Sequence, residues 1–232
     1  MIKDSRYAGL DGCRGGWILC CFDNEQRNLK FELLTDLPND LPDRFAMLAV
    51  DMPIGLPNHG RRQCDLEARA LLPGRLRSRI FLDLRRPLLE CNTFTQANRL
   101  AREDGHGLSK QAWNLHPALR SLDAILTPAR QAQVIEAHPE LVFHRLNDWQ
   151  AVAGKKTAAG QHKRLDLLAE AGMTGVGESL PHLPRKLAAM DDFLDAAACA
   201  LAAAWHASGK GRRVPTGSTE RDQRGLLMEI HY

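Results

Sequence analysis

The sequence predicts an α/β fold, and three observations carry the prediction. Residues Tyr7 to Leu37 follow a strand pattern, two later stretches carry apolar residues at helical spacing, and two further short apolar runs end in an acid. "YAGLDGC", "GGWILCCFD" and "LKFELLTDL" read as sequential antiparallel strands, separated by a Gly-rich turn and by the polar "NEQRN". "PNDLPDRF" has two prolines and suits a connector or one helical turn. In "MLAVDMPIGLP" a buried run, Met47 to Val50, ends in Asp51 before Pro53, Gly55 and Pro57 stop the strand.

Residues 61 to about 126 read as a mostly helical insertion or cap, carried by "RRQCDLEARALL", "TQANRLARED" and "SKQAWNLHPALRSLDAIL". In "AQVIEAHPELVFHRL", Val134 and Ile135 lead to Glu136, and Pro139 marks the strand end. Lys155 to Ala171 reads as a helix ending at Gly172. "AAMDDFLDAAACALAAAWHA" reads as a long alanine-rich helix with Leu194, Ala197, Ala198, Leu201 and Trp205 on one stripe. The tail "RGLLMEIHY" reads as a last strand or an ordered extension. One domain over residues 1–232, with its helical insertion at about 61–126, is the expected organisation.

Composition narrows the function classes. The chain has 232 residues, 44% hydrophobic and 25% charged, an ordinary globular balance. No apolar stretch reaches the ~18 residues of a membrane span. The start "MIKDSRY" lacks the apolar core of a signal peptide, so a cytoplasmic protein without membrane contact is expected. Six scattered cysteines with no C-x-x-C pair suggest neither a disulfide framework nor a zinc site. Net charge is only +3, but between Arg61 and Arg102 ten arginines face four acids. That segment is either a solvated helix surface or a surface that pairs with phosphates.

The acids carry the chemistry. Asp11, Asp51 and Glu136 each end an apolar strand, and Asp192 and Asp195 share a face of the long helix. Acids at the ends of adjacent strands converge, and their repulsion calls for a cation between them. Carboxylate oxygens select Mg²⁺ or Mn²⁺. Each acid also has a structural reading. Asp11 and Asp51 would accept turn amides, Glu136 would pair with His138 or an arginine, and Asp192, like Asp191 beside it, would favour the helix N-terminus. Asp195 lies a turn into an apolar helix, where an unpaired charge is costly.

Lys155 and Lys156 open a helix and either bind a substrate phosphate or are solvated. No P-loop is present. Ser109, Gln111 and Trp113 either face the site, with Trp113 as a stacking plane for a base, or belong to the core. His138 is a proton shuttle or satisfies local hydrogen bonds. Acyl chemistry has no support, because no G-x-S-x-G or Ser-His-Asp ordering occurs.

"GLDGCRGGW", "VDMPIGLP" with "RRQCDLEAR", "LSKQAWNL" leading to Asp123, "EAHPELVF", "KKTAAG" with Arg164, "DDFLDA" and "GLLMEIHY" occur in this order over residues 7–232. In them the chain resembles the RNase H-like superfamily, Holliday-junction resolvases included, and more closely the domain of unknown function 429 family, described as predicted nucleases of RNase H-like fold. The resemblance implies a mixed sheet, first three strands antiparallel and then parallel, flanked by helices around an acidic metal site. Carried over, Asp11, Asp51 and Asp195 are the metal ligands, assisted by Asp192 or Glu136.

The expectation is a divalent-metal-dependent nuclease or phosphodiesterase acting on DNA or RNA with Mg²⁺ or Mn²⁺. Asp11, Asp51, Glu136, Asp192 and Asp195 form its catalytic set, and Arg14, Arg61, Arg62, Arg79, Lys155 and Lys156 hold phosphates. The alternatives are an ATP-dependent phosphotransferase of the actin-like and sugar-kinase type, whose glycine hairpin wraps nucleotide phosphates, and a non-catalytic nucleic-acid-binding module.

Overall fold

The computed structural model describes residues 6–23, 25, 28–181 and 183–232. The reading of "MIKDSRY" as no signal peptide, and most of the "NEQRN" turn, lie outside the described residues. Along the chain run strands β1 (Arg6–Cys13), β2 (Gly16–Asp23), β3 (Asn28–Leu34) and β4 (Met47–Val50), then helices α1 (Gln63–Leu71), α2 (Phe94–Glu103), α3 (Lys110–Asn114) and α4 (His116–Ile125). Strand β5 (Val134–Glu136) and helices α5 (Pro139–Leu146), α6 (Ala158–Glu170) and α7 (Met190–Ala207) follow.

The chain divides into two compact units, one of Met1–Met52, Ala132–Arg213 and His231–Tyr232, the other of Pro53–Gln131 and Val214–Ile230. The first holds a mixed sheet, five-stranded among the described residues, in the order β3-β2-β1-β4-β5. β1, β2 and β3 are antiparallel neighbours, while β4 and β5 run parallel to β1. This is the expected mixed sheet flanked by helices.

Local chemistry explains the hairpin. Cys13 pairs with Gly16 across a two-residue turn, Arg14-Gly15. Gly16 has φ +128°, and a β-carbon there would lie 2.2 Å from the Leu34 carbonyl, so only glycine fits.

The helix that matters most for the site is α7. A β-carbon on Gly9 would meet the Ala196 carbonyl oxygen at 1.9 Å and the Ala200 nitrogen at 2.2 Å, so the α7 backbone lies directly against β1. Every residue from Phe193 to Ala204 is buried, because the sheet covers one side of α7 and α5 and α6 cover others. The alanines thus reach round the helix instead of forming one stripe. Close packing of small residues brings an acid on this helix within reach of β1.

Helix α6 starts later than its sequence pattern. Thr157 caps it by accepting from the Gly160 amide at 3.0 Å, which leaves Lys155 and Lys156 in the preceding turn. In the tail, Ile230–His231 forms a short strand, and Tyr232 exchanges two 2.8 Å backbone hydrogen bonds with Arg212.

The second unit holds the segment expected to be helical at 61–126. It is helical in α1 to α4, but residues 74–79 and 86–90 form 3-10 turns, where Pro73, Gly74 at φ +48° and Pro87 interrupt the α pattern. Many of its arginines serve this unit's own interior. Arg62 is 1% exposed, bonds Asp65 at 2.9 and 2.5 Å and reaches the Ile54 carbonyl at 3.2 Å. Arg85 pairs with Asp104, Arg86 with Asp123 and Asp222, and Arg224 with Asp123. Among the described residues no helix is long and apolar enough to cross a membrane.

Candidate functional site

The site grows from the parallel part of the sheet in the first unit. Leu10 and Val50 are register partners, and the Asp51 amide donates to the Leu10 carbonyl at 2.9 Å. Asp11, inside β1, and Asp51, just past the end of β4, therefore lie side by side on the same face. That face also carries Gly9, against which α7 packs, and α7 brings Asp195 over it. Three carboxylates from β1, the end of β4 and α7 are thus gathered.

The electrostatics follow from burial. Asp11 is 7% exposed and Asp195 is 2% exposed. Burial first, then the charges of Asp51 and Asp195, hold the Asp11 carboxyl well above the usual carboxylate range. Burial likewise pushes Asp195 up to about 6, against the opposing pull of Lys155. Cys199, one turn after Asp195 on α7, is also raised well above its ordinary value, by burial first and then by Asp51, Asp11 and Asp195.

Lys155 supplies the counter-charge. Its Nζ lies 2.5 Å from Oδ2 of Asp195 and 3.6 Å from Oδ2 of Asp191. Burial opposes its charge, but Asp195, then Asp11 and Asp51, outweigh burial and hold the ammonium above its ordinary value. The loop that presents Lys155 is pinned. Buried Arg164 donates to the Ala153 carbonyl at 2.7 Å, to the Gly160 carbonyl at 3.1 Å and to Glu140 Oε2 at 2.9 Å. A β-carbon on Gly160 would lie 2.2 Å from the Gly154 carbonyl, so the loop sits against the start of α6. "KKTAAG" with Arg164 is the device that fixes the backbone of Lys155.

The paired acids at the start of α7 exchange the roles their spacing suggests. Asp192 accepts from the Ala189 amide at 2.7 Å and so serves the helix N-terminus, while burial raises its carboxyl. Asp191, one turn before Asp195, faces Lys155 instead. Glu136 is buried on β5, but it shares a register with Val50. Alternation then turns it to the sheet face opposite Asp11 and Asp51.

The remaining candidates divide by unit. Arg14 is exposed in the β1–β2 turn, and Lys156 is exposed beside Lys155. The Gly15 amide of that turn is engaged, donating to the Leu187 carbonyl at 2.8 Å. In the second unit Arg61 pairs with Asp83 at 2.9 Å, Arg62 is the interior clamp already described, and Arg79 is half-buried. Ser109 caps α3 by accepting from Ala112 at 3.1 Å, and Gln111 is exposed. Trp113 stacks on His116, ring centroids 4.3 Å apart, and meets Phe94 edge-on at 6.5 Å.

Among the described residues no group of three or more His, Cys, Asp or Glu side chains stands assembled to hold a metal ion. In this arrangement the ammonium of Lys155 engages the acids. The donors themselves are of the kind a hard divalent cation takes, all carboxylate oxygens, and Oδ1 of Asp195 is buried with no hydrogen-bond partner. The acids fit such an ion in kind.

Fold and site together define an α/β protein whose mixed sheet carries a buried acid and lysine cluster beside the end of β4. The chain belongs to the DUF429 family, proteins of unknown function, whose family model matches residues 9–220. No curated protein and no solved structure matches it.

Proposed function

We propose that this protein is an RNase H-like nuclease or related phosphodiesterase that hydrolyses nucleic-acid phosphodiester bonds with a divalent cation. One observation carries the reading: Asp11, Asp51 and Asp195 share a single sheet face, where burial and neighbouring carboxylate charge raise the carboxyls of Asp11 and Asp195. A fold keeps such repulsion where it serves a function, because neutral residues there would be more stable.

Asp11, Asp51 and Asp195 would hold Mg²⁺ or Mn²⁺. When bound, the ion polarises the phosphoryl oxygen and lowers the pKa of water. The side chains do the rest. Lys155 offsets the acids, and with Arg14 it supplies cationic groups near them for an anionic backbone. Asp191 helps to orient Lys155, and Asp192 fixes the first turn of α7, which sets the position of Asp195. The strand order β3-β2-β1-β4-β5, with only the first three strands antiparallel, supports the RNase H-like assignment. The engaged Gly15 amide disfavours the phosphotransferase alternative, whose hairpin needs free amides for nucleotide phosphates.

The test is cleavage of single-stranded, duplex, hybrid and branched DNA and RNA with Mg²⁺ or Mn²⁺. The proposal expects cleavage of at least one substrate by the wild-type protein and none by Asp11→Asn. It fails if nothing is cut, or if Asp11→Asn cuts as well as wild type.

A further inference from the structure

The cluster contains a cation of its own, and its geometry is specific. Lys155 Nζ sits on Oδ2 of Asp195, yet Oδ1 of that carboxylate is buried without a partner. One ammonium has three donor hydrogens, and this one is shared between Asp195 and Asp191. The backbone on either side of Lys155 is fixed by Arg164, by the Thr157 cap and by the Gly154–Gly160 contact. Its four-carbon stem is therefore the movable part, and a flexible stem carrying a compact charge can leave one partner for another without moving its loop.

From this we infer that Lys155 is a resident cation that holds the acids together in the metal-free protein and competes with the divalent ion for Asp195. This inference rests on the metal-dependent reading above. With the ion held by the acids, Lys155 would leave Asp195 and its ammonium would be free for a substrate phosphate. Metal affinity is thereby weakened by an internal competitor, and substrate, by engaging the released lysine, favours the loaded state. The competing group belongs to a pinned loop of the same chain, so the competition is independent of protein concentration.

Calorimetric titration of Mn²⁺ at constant pH into wild type, Lys155→Met and Lys156→Met tests this. Removal of the competitor should tighten Mn²⁺ binding by roughly tenfold or more in Lys155→Met, the scale of one nearby unit charge at a partly solvated site. Lys156→Met should stay within about twofold of wild type, since solvent screens an exposed charge. A measurement on the wild-type protein stands beside it: amine-specific acylation followed by mass spectrometry, where Mn²⁺ should speed modification of Lys155 and leave exposed Lys156 unchanged. Equal Mn²⁺ affinity in wild type and Lys155→Met, with no change in Lys155 acylation, would overturn the inference and leave the metal reading standing. Absence of Mn²⁺ binding in every variant would overturn both.

Discussion

Lys155 Nζ lies 2.5 Å from Asp195 Oδ2, and the two side chains come from a pinned loop and from the second turn of α7. Around this pair Asp11, Asp51 and Asp191 add further negative charge. The arrangement favours a cation and disfavours the empty, fully ionised cluster, which makes its stability and its chemistry pull in opposite directions.

Asp11→Asn should show that opposition. Removal of one buried repelling charge is expected to stabilise the metal-free protein by about 1 kcal/mol near pH 8 while abolishing cleavage. Urea denaturation beside the cleavage assay measures both, and a loss of stability with retained cleavage would contradict the account.

The Asp195 carboxyl at about 6 gives a pH dependence with a definite sign. Between about pH 4 and 6 the native state keeps this proton while an unfolded aspartate, near pKa ~3.9, has lost it. Stability from this group is therefore present at low pH and falls as pH rises through about 6, by up to ~1.4 kcal/mol per unit. Urea midpoints of wild type against Asp195→Asn across this range should diverge with rising pH, with the variant increasingly favoured. Parallel curves would show that the carboxyl is not raised.

Lys155→Met removes the counter-charge of a buried pair, and the metal-free variant should lose about 3 kcal/mol at pH 7.5. Saturating Mn²⁺ should restore most of this loss, because a ligand that binds only the native state raises its stability. Thermal melts with and without Mn²⁺ measure it, and equal melting temperatures for wild type and the metal-free variant would argue that Lys155 does not support the cluster.

Two glycines test the packing that positions the acids. Gly9→Ala forces a β-carbon onto the backbone of α7, at 1.9 Å from Ala196 O, and should cost about 3 kcal/mol or more or prevent folding. Gly12→Ala meets only side chains at ordinary contact distance, the end of Met52 at 3.6 Å and the Trp17 ring at 3.9 Å, and should change stability by less than about 1 kcal/mol. Denaturation midpoints of the two variants decide it, and similar values would mean that α7 does not rest on Gly9.

The outline was readable from sequence where one residue type answers one local demand. Apolar runs ending in Asp11 and Asp51, the glycine hairpin, and Asp195 set into an alanine-rich helix all point to one face. Less readable were choices made by tertiary geometry. Asp191 and Asp192 are neighbours with the same charge, and only the approach of the 153–157 loop decides which faces Lys155 and which caps the helix. Glu136 follows the same strand-then-acid pattern as Asp11, but a one-residue difference in register turns it to the other face. Arg62 sits within an arginine-rich stretch that suits either a solvated helix surface or a phosphate-pairing surface, and nothing in its spacing reveals that Asp65 and the Ile54 carbonyl hold it in the interior. Arg164 carried a clearer signal, an arginine following "KKTAAG" on an otherwise ordinary helix, although its contacts with Glu140 and Ala153 are long-range.

The most direct measurement is a crystal structure of the protein soaked with Mn²⁺ and examined for anomalous scattering. The account predicts a Mn²⁺ peak bonded to oxygens of Asp11, Asp51 and Asp195, with Lys155 Nζ moved away from Asp195. A cluster without a peak, with Lys155 still seated on Asp195 at saturating Mn²⁺, would contradict it.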